Sequence, residues 1–444
     1  MNHLSRSDFT KYTTRIDQVA TVCPEGRVSQ VVGLIAEGDS LGLGIGSLCS
    51  ILTDQGEEVQ AEVVGFKKQK ALLMPYGDIR GVRMGSRIIP VSASPMVGVS
   101  DQMLGRVLDG MGNPLDGKGS IAPSARYYLY GKPIGPLERQ SIKKPLDVGV
   151  AAINSMVTLG KGQRVAIMAG SGVGKSVLMG MMTRHTAADV VVIGLIGERG
   201  REVKDFVEET LKGEGMKRSV VVAATSDMPP LVRMRGAYLA TTIAEYFRDQ
   251  GKNVLLMVDS ITRFAMSSRD VGLAAGEPPT TRGYTPSFFV KIPVLLERAG
   301  NIENSGSITG IYTVLVEGDD LNDPVGDTVR SIVDGHIVLS RDLANKGHYP
   351  AIDVMASVSR VMQDVCAKEH LSISQKAVNL MAAYKNAEDM ITIGAYVKGS
   401  DPDVDQAIKQ MPGINNVLRQ DMFEKKDLPS SVTALKTAVE SKKQ

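Results

Sequence analysis

The run Ala169-Gly170-Ser171-Gly172-Val173-Gly174-Lys175-Ser176 has the residue types and spacing of a loop that cradles phosphates. Its glycines let successive backbone N–H groups turn toward one anion, and the N-terminus of the segment that follows adds partial positive charge. Lys175 is then placed to reach the β- and γ-phosphates of a nucleoside triphosphate, and the Ser176 hydroxyl to take a position on Mg²⁺. The first position is Ala169, where the strict pattern has glycine. Context argues against a chance turn. A short apolar strand, Arg164-Val165-Ala166-Ile167-Met168, precedes the loop, and a segment of helical character opens at Val177.

Two acidic residues fall where such a loop needs them. Asp259 ends the apolar run Asn253–Val258, and a carboxylate at that edge of a parallel sheet faces the phosphates and holds Mg²⁺. Capping the next helix is the alternative role, which the loop upstream makes the weaker one. Glu198, in Gly197-Glu198-Arg199-Gly200-Arg201-Glu202, follows the run Val190–Ile196. That position suits a carboxylate that orients or deprotonates an attacking water. It equally suits a surface glutamate paired with Arg199 or Arg201, and the residues alone leave both readings open.

The elements that must hold these groups are legible as four stretches. Residues 1–21 pattern as an amphipathic helix, with Leu4, Phe9, Tyr12, Ile16 and Val19 near one face. That face could pack on the next domain or dock a partner. Residues 22–95 carry short β-type runs broken by glycine, such as 27–35, 59–64 and 71–74, and predict a small antiparallel barrel. With only Phe66 and Tyr76 as aromatic platforms, an assembly role suits it better than oligonucleotide binding. Residues 96–345 alternate strand and helix, the pattern of an α/β domain with a parallel sheet. Its strands, such as 190–196, 219–223, 253–258 and 308–316, are near-continuously apolar, as expected of strands covered on both faces. Helical segments such as 201–212 and 235–249 lie between them. Beyond Pro350 the β signals fade, and 346–444 reads as a helical domain with helices over 371–395, 403–421 and 431–442.

Composition bounds the function. The 444 residues carry 51 Lys plus Arg against 49 Asp plus Glu, so the net charge of +2 gives no argument for nucleic acid or anionic membrane. No apolar run approaches a bilayer span and the N-terminus lacks a signal-peptide pattern, so a cytoplasmic protein is expected. Cys23, Cys49 and Cys366 lack metal-ligand spacing and read as buried free thiols. The five histidines (His3, His185, His336, His348, His370) are equally dispersed.

The segment Gly194–Val203 resembles the rotary ATPase superfamily, whose catalytic β-type subunits carry a Gly-Glu-Arg motif. Together with Gly170–Ser176 and Ser357-Val358-Ser359-Arg360, the match narrows to the protein-export ATPases of type III secretion systems. Gly276–Tyr284, Val316–Asp320, Asp334–Arg341 and His348–Asp353 extend the likeness, which covers the chain from about residue 24 onward. Thr281–Tyr284 and Ala344–Tyr349 are more similar to flagellar members than to virulence ones.

The resemblance implies an N-terminal β-barrel, a RecA-like ATPase core and a C-terminal helical domain, assembled as a ring hexamer with ATP between subunits. It implies Lys175 on the phosphates, Ser176 and Asp259 at Mg²⁺, and Glu198 as catalytic carboxylate. Ala169 to Val177 would line the nucleotide, Arg199 would face the γ-phosphate, and Tyr349 would stack on adenine. Arg360 matches the arginine finger given by the adjacent subunit; a salt bridge with Asp353 or Asp364 is its structural alternative. Implied partners are a stator-like regulator at the N-terminal helix, a central stalk protein near Ser400–Asp403, the export gate and chaperone–substrate complexes, at the inner face of the membrane.

Rotary synthases divide the glutamate and the finger between two subunit types, whereas this chain holds Glu198, Tyr349 and Arg360 together. Every interface of a homomeric ring is therefore expected to be catalytic. The combination also argues against a synthase subunit. Near-neutral charge disfavours an RNA translocase, and Lys175, Glu198 and Asp259 together disfavour a non-hydrolysing nucleotide binder.

Overall fold

A computed structural model describes residues 24–211, 213–316 and 323–440. The expected N-terminal helix over 1–21 lies outside these residues, as do Cys23 and most of the Val316–Asp320 motif. The chain falls into two compact units, one running to Pro95 and taking in Ala274–Gly276, the other comprising the rest.

The first unit is a closed antiparallel barrel of six strands: Gly26–Val32, Ile35–Asp39, Leu48–Leu52, Glu58–Lys67, Lys70–Pro75 and Arg87–Ser92. Alternating residues point inward, so that Val28, Ile51, Val63, Leu73 and Ile88 meet in one core. The apolar run 27–35 is not one strand. It turns back at Gly33, whose φ of +57° suits a tight hairpin that pairs Val32 with Ile35.

The second unit is built on a parallel sheet with strands in the order Ile352–Ser359, Gly335–Leu339, Arg164–Ala169, Ser307–Leu315, Asn253–Asp259, Val190–Ile196, Ser219–Ala224 and Arg106–Asp109. Val190–Ile196 is buried along its whole length, as its unbroken apolar sequence requires. Gly300–Asn301 pairs antiparallel with Ser307–Leu315 off this path.

One expectation needs correction. The β pattern does not end near Pro350, because Ile352–Ser359 adds an antiparallel strand to the sheet edge. A half-covered edge strand has an irregular mixture of polar and apolar residues, and this one lacks the apolar run of its neighbours. The segment 201–212 also differs from one regular helix: Gly200–Asp205 gives way to a π-helical turn over Phe206–Thr210.

The described residues end with three helices, Lys368–Thr392, Pro402–Leu418 and Leu428–Glu440. Their Leu380, Ile414 and Leu435 share one core with Ile153 and with sheet residues such as Ile337. Asp401 caps the second helix by accepting from the Asp403 amide at 2.9 Å, and Asp405 accepts from the Gly399 amide at 2.7 Å. The acidic turn at 400–403 thus satisfies its own backbone. Among the described residues, no helix is long and apolar enough to cross a membrane. Cys49 is a buried thiol, pushed up to about 11 by burial, and Cys366 is half-buried.

Candidate active site

The phosphate loop leaves the sheet from Ala169, the last residue of a central strand flanked on both sides. Gly174 caps the helix Lys175–His185 with φ +93°, a left-handed conformation that disfavours any side chain. The loop therefore delivers its amides and the start of an 11-residue helix to the carboxyl edge of the sheet. Val173 is buried beneath the loop, whereas Ser171, Ser176 and Val177 face outward.

Lys175, Glu198 and Asp259 come together there. The Lys175 ammonium pairs with Asp259 and lies 3.4 Å from Glu198 Oε1. All three side chains are mostly buried, at 11 %, 15 % and 4 % exposed. Burial works against the charge on Lys175, but the two carboxylates outweigh it and hold its pKa above the ordinary lysine value. Glu198 is pushed up to about 7, chiefly by burial and then by the Asp259 charge and hydrogen bonding to Glu202, against the pull of Lys175. Hydrogen bonding from Glu198 in turn keeps Glu202 below its usual range. A carboxylate that gains a proton near neutrality is suited to accept one from water.

Asp259 is also fixed by Thr313, whose hydroxyl donates to its Oδ1 at 2.6 Å. Nothing in the sequence pattern marked Thr313, one hydroxyl inside an apolar strand. Gly197, ahead of Glu198, has φ +70°, and a Cβ there would stand 2.8 Å from the Cβ of Arg263. That crowding explains why the turn presenting Glu198 opens on glycine.

Tyr349 lies beside the loop. A Cβ on Gly174 would be 3.6 Å from Tyr349 Cε1, and the ring is about half exposed, open to a planar partner. Arg199 is 81 % exposed and pairs with Glu202 at 3.1 Å. Arg360 is not brought to this cluster. It follows the antiparallel edge strand, and its backbone N–H bonds to the Asp334 carbonyl at the start of the Gly335–Leu339 strand. Gly335–Leu339 runs parallel to Arg164–Ala169, so Arg360 sits at the opposite edge of the sheet from its own loop. A six-residue strand separates those edges by roughly 17 Å, beyond the reach of an arginine side chain. Among the described residues the exposed Arg360 side chain pairs with no carboxylate. Asp353 instead accepts from the amides of Met355 and Ala356.

Ser176 and Asp259 offer a hydroxyl and a carboxylate, the hard oxygen donors that suit Mg²⁺. No cluster of three or more His, Cys, Asp or Glu side chains fit for a metal occurs among the described residues. These two positions therefore fit an ion whose remaining ligands come from phosphate and water.

Comparison with known proteins agrees with the fold. Residues 149–359 match the nucleotide-binding domain of the ATP synthase alpha/beta family, and 28–91 match the beta-barrel domain of that family. Residues 366–437 match the T3SS EscN ATPase C-terminal domain. The flagellum-specific ATP synthase of Pseudomonas aeruginosa is 50 % identical over 436 residues, covering 96 % of this chain and 97 % of that protein. The type 3 secretion system ATPase of Xanthomonas euvesicatoria is 47 % identical over 396 residues, covering 89 % of each. The assembled ATPase EscN from the type III secretion system of enteropathogenic E. coli superimposes with a TM-score of 0.88 at 44 % identity, over 93 % of this chain and 100 % of that one. EscN in complex with its central stalk EscO gives a TM-score of 0.86 at 43 % identity, over 93 % of this chain and 100 % of that one. With its barrel, phosphate loop and helical C-terminus all matched, the chain belongs to the ATPase family of type III secretion systems and flagellum-specific ATP synthases.

Proposed function

We propose that this protein is a homohexameric ring that hydrolyses ATP to energise protein export through a type III apparatus, the flagellar one. The observation that carries this reading is the position of Arg360, exposed and at the far edge of the sheet from the Lys175–Glu198–Asp259 cluster. A chain so built has a complete set of carboxylates and lysine but must lend its finger elsewhere. The flagellar assignment rests on the residues of Thr281–Tyr284 and Ala344–Tyr349.

In the proposed reaction the loop amides and Lys175 hold the β- and γ-phosphates of ATP. Ser176 and Asp259 would hold Mg²⁺, which would supply neutralising charge to the phosphate oxygens. Binding gives Lys175 an anionic partner in place of the carboxylates and leaves Glu198 facing the attacking water. Glu198 accepts the water proton as the oxygen attacks the γ-phosphorus, and ADP departs. Arg199 faces the γ-phosphate from the same chain. Arg360 of the neighbouring chain meets charge that develops only in the transition state, an effect worth about 10³–10⁵ in rate. Tyr349 stacks on adenine.

The stalk complex of EscN supports a central stalk partner for this ring. A stator-like regulator at residues 1–21, the export gate and chaperone–substrate complexes are the further proposed partners, met at the inner membrane face.

Hydrolysis measured against protein concentration, with light scattering to follow assembly, tests the reading. The rate per chain should climb as rings appear and be lost in Arg360→Ala despite normal rings. A flat rate insensitive to Arg360 removes the shared site.

A further inference from the structure

Arg360 is held by its backbone, and what holds it is the base of the chain's own phosphate-loop strand. Its N–H donates to the Asp334 carbonyl at 2.9 Å. The Asp334 carboxylate grips Arg164, the first residue of the loop strand, accepting from its amide at 3.0 Å, from Nε at 3.1 Å and from Nη2 at 3.0 Å. The Asp334 amide returns a bond to the Arg164 carbonyl at 2.8 Å.

Gln163 closes the arrangement. It is fully buried at 0 % exposure. Its Nε2 donates at 3.2 Å to the Asp334 carbonyl and at 3.2 Å to the hydroxyl of Ser359, the residue before Arg360. Its Oε1 accepts from the Gly160 amide at 2.9 Å, and Ser359 in turn donates to the Thr158 carbonyl at 2.7 Å. Gly335 packs closely beside it, since a Cβ there would stand 2.4 Å from the Val358 carbonyl oxygen and 3.1 Å from Gln163 Nε2. One buried amide thus spans the residue before the finger, the carbonyl that anchors the finger, and the strand that carries the loop.

We propose that Gln163, backed by Arg164 and Asp334, is a positioning residue for Arg360, tying the finger lent to a neighbour to the strand that carries the lender's own phosphate loop. The inference rests on the reading of Arg360 as a finger used in trans. A shift of the loop strand on binding or releasing nucleotide would then move the base of that strand, and with it the group completing the adjacent site. A misplacement of about 1 Å at a catalytic group costs on the order of 10²-fold in rate, so a small movement suffices.

The test uses full-length chains mixed before ring assembly. Gln163→Met keeps the volume and removes the amide. Its homomeric rings should lose about 10- to 100-fold in kcat with little change in KM, because the finger and not the nucleotide pocket is displaced. Mixed with Glu198→Gln chains, which have a dead site but a sound finger, turnover should rise well above the sum of the separate activities. If Gln163 instead supports its own loop, no such rescue occurs, and the proposal is overturned. Arg360→Ala mixed with Glu198→Gln is the control: it must complement if the finger acts in trans. Failure of the control sinks the trans reading itself, whereas a working control beside unrescued Gln163→Met sinks only the positioning role. Ser359→Ala removes one partner of the same amide. It should show a weaker kcat loss with the same rescue, and it carries the test if Gln163→Met folds poorly.

Discussion

Asp259 Oδ1 receives both the Thr313 hydroxyl, at 2.6 Å, and the Lys175 ammonium. Two donors on one oxygen fix the carboxylate plane and direct the other oxygen elsewhere. Thr313→Val keeps the shape and removes one of these bonds. The Mg²⁺ concentration for half-maximal hydrolysis should rise about three- to tenfold, the equivalent of the ~1 kcal/mol net contribution of an ordinary hydrogen bond. An unchanged metal titration would show that Thr313 serves only the strand.

Glu198 gives a pH signature in the protein without nucleotide or metal. In the folded chain its carboxyl holds a proton up to about pH 7. An unfolded glutamate loses its proton near about 4.3. Between those values the folded state binds more protons, so this group's contribution to stability falls as pH rises through the window. Glu198→Gln removes that loss. In paired urea titrations with EDTA, the variant's stability margin over wild type should grow by about 2 kcal/mol from pH 5 to pH 8. Equal margins at the two pH values would mean that the carboxyl is ionised throughout.

The proposed stacking of Tyr349 on adenine predicts an effect on binding and not on chemistry. Base–aromatic stacking is worth about 1–3 kcal/mol, so Tyr349→Ala should raise KM for ATP by roughly ten- to thirtyfold. The kcat should stay close to wild type, and Tyr349→Phe should restore KM. A fall in kcat with unchanged KM would place the ring in another role.

How much of this was legible in the chain follows from sequence separation. The loop Ala169–Ser176 is eight consecutive residues whose glycines, lysine and serine act as one unit, so local spacing reveals it. Asp259 is legible because an apolar run ends on a carboxylate. Glu198 was half legible: its place after a strand was clear, but the burial that raises its proton affinity, against the pull of Lys175, is a tertiary fact. Thr313 and Gln163 were invisible, because a hydroxyl or amide in an apolar setting has many structural uses. Their partners stand far off in the chain; Gln163 meets Ser359 across 196 positions. The strand Ile352–Ser359 escaped because it is antiparallel and at an edge, without the run of buried residues that exposes a central strand.

The closed barrel has a consequence for the assembly. An open sheet offers unpaired amides and carbonyls along its outer strands, and a second chain can extend it. Here the Gly26–Val32 strand pairs with both Ile35–Asp39 and Arg87–Ser92, so the circle has no end. Chains crowded side by side at high local concentration therefore cannot zip together through this domain's backbone. Any adhesion must come from side chains such as the exposed Val32 and Leu34, which can part again without unravelling a strand.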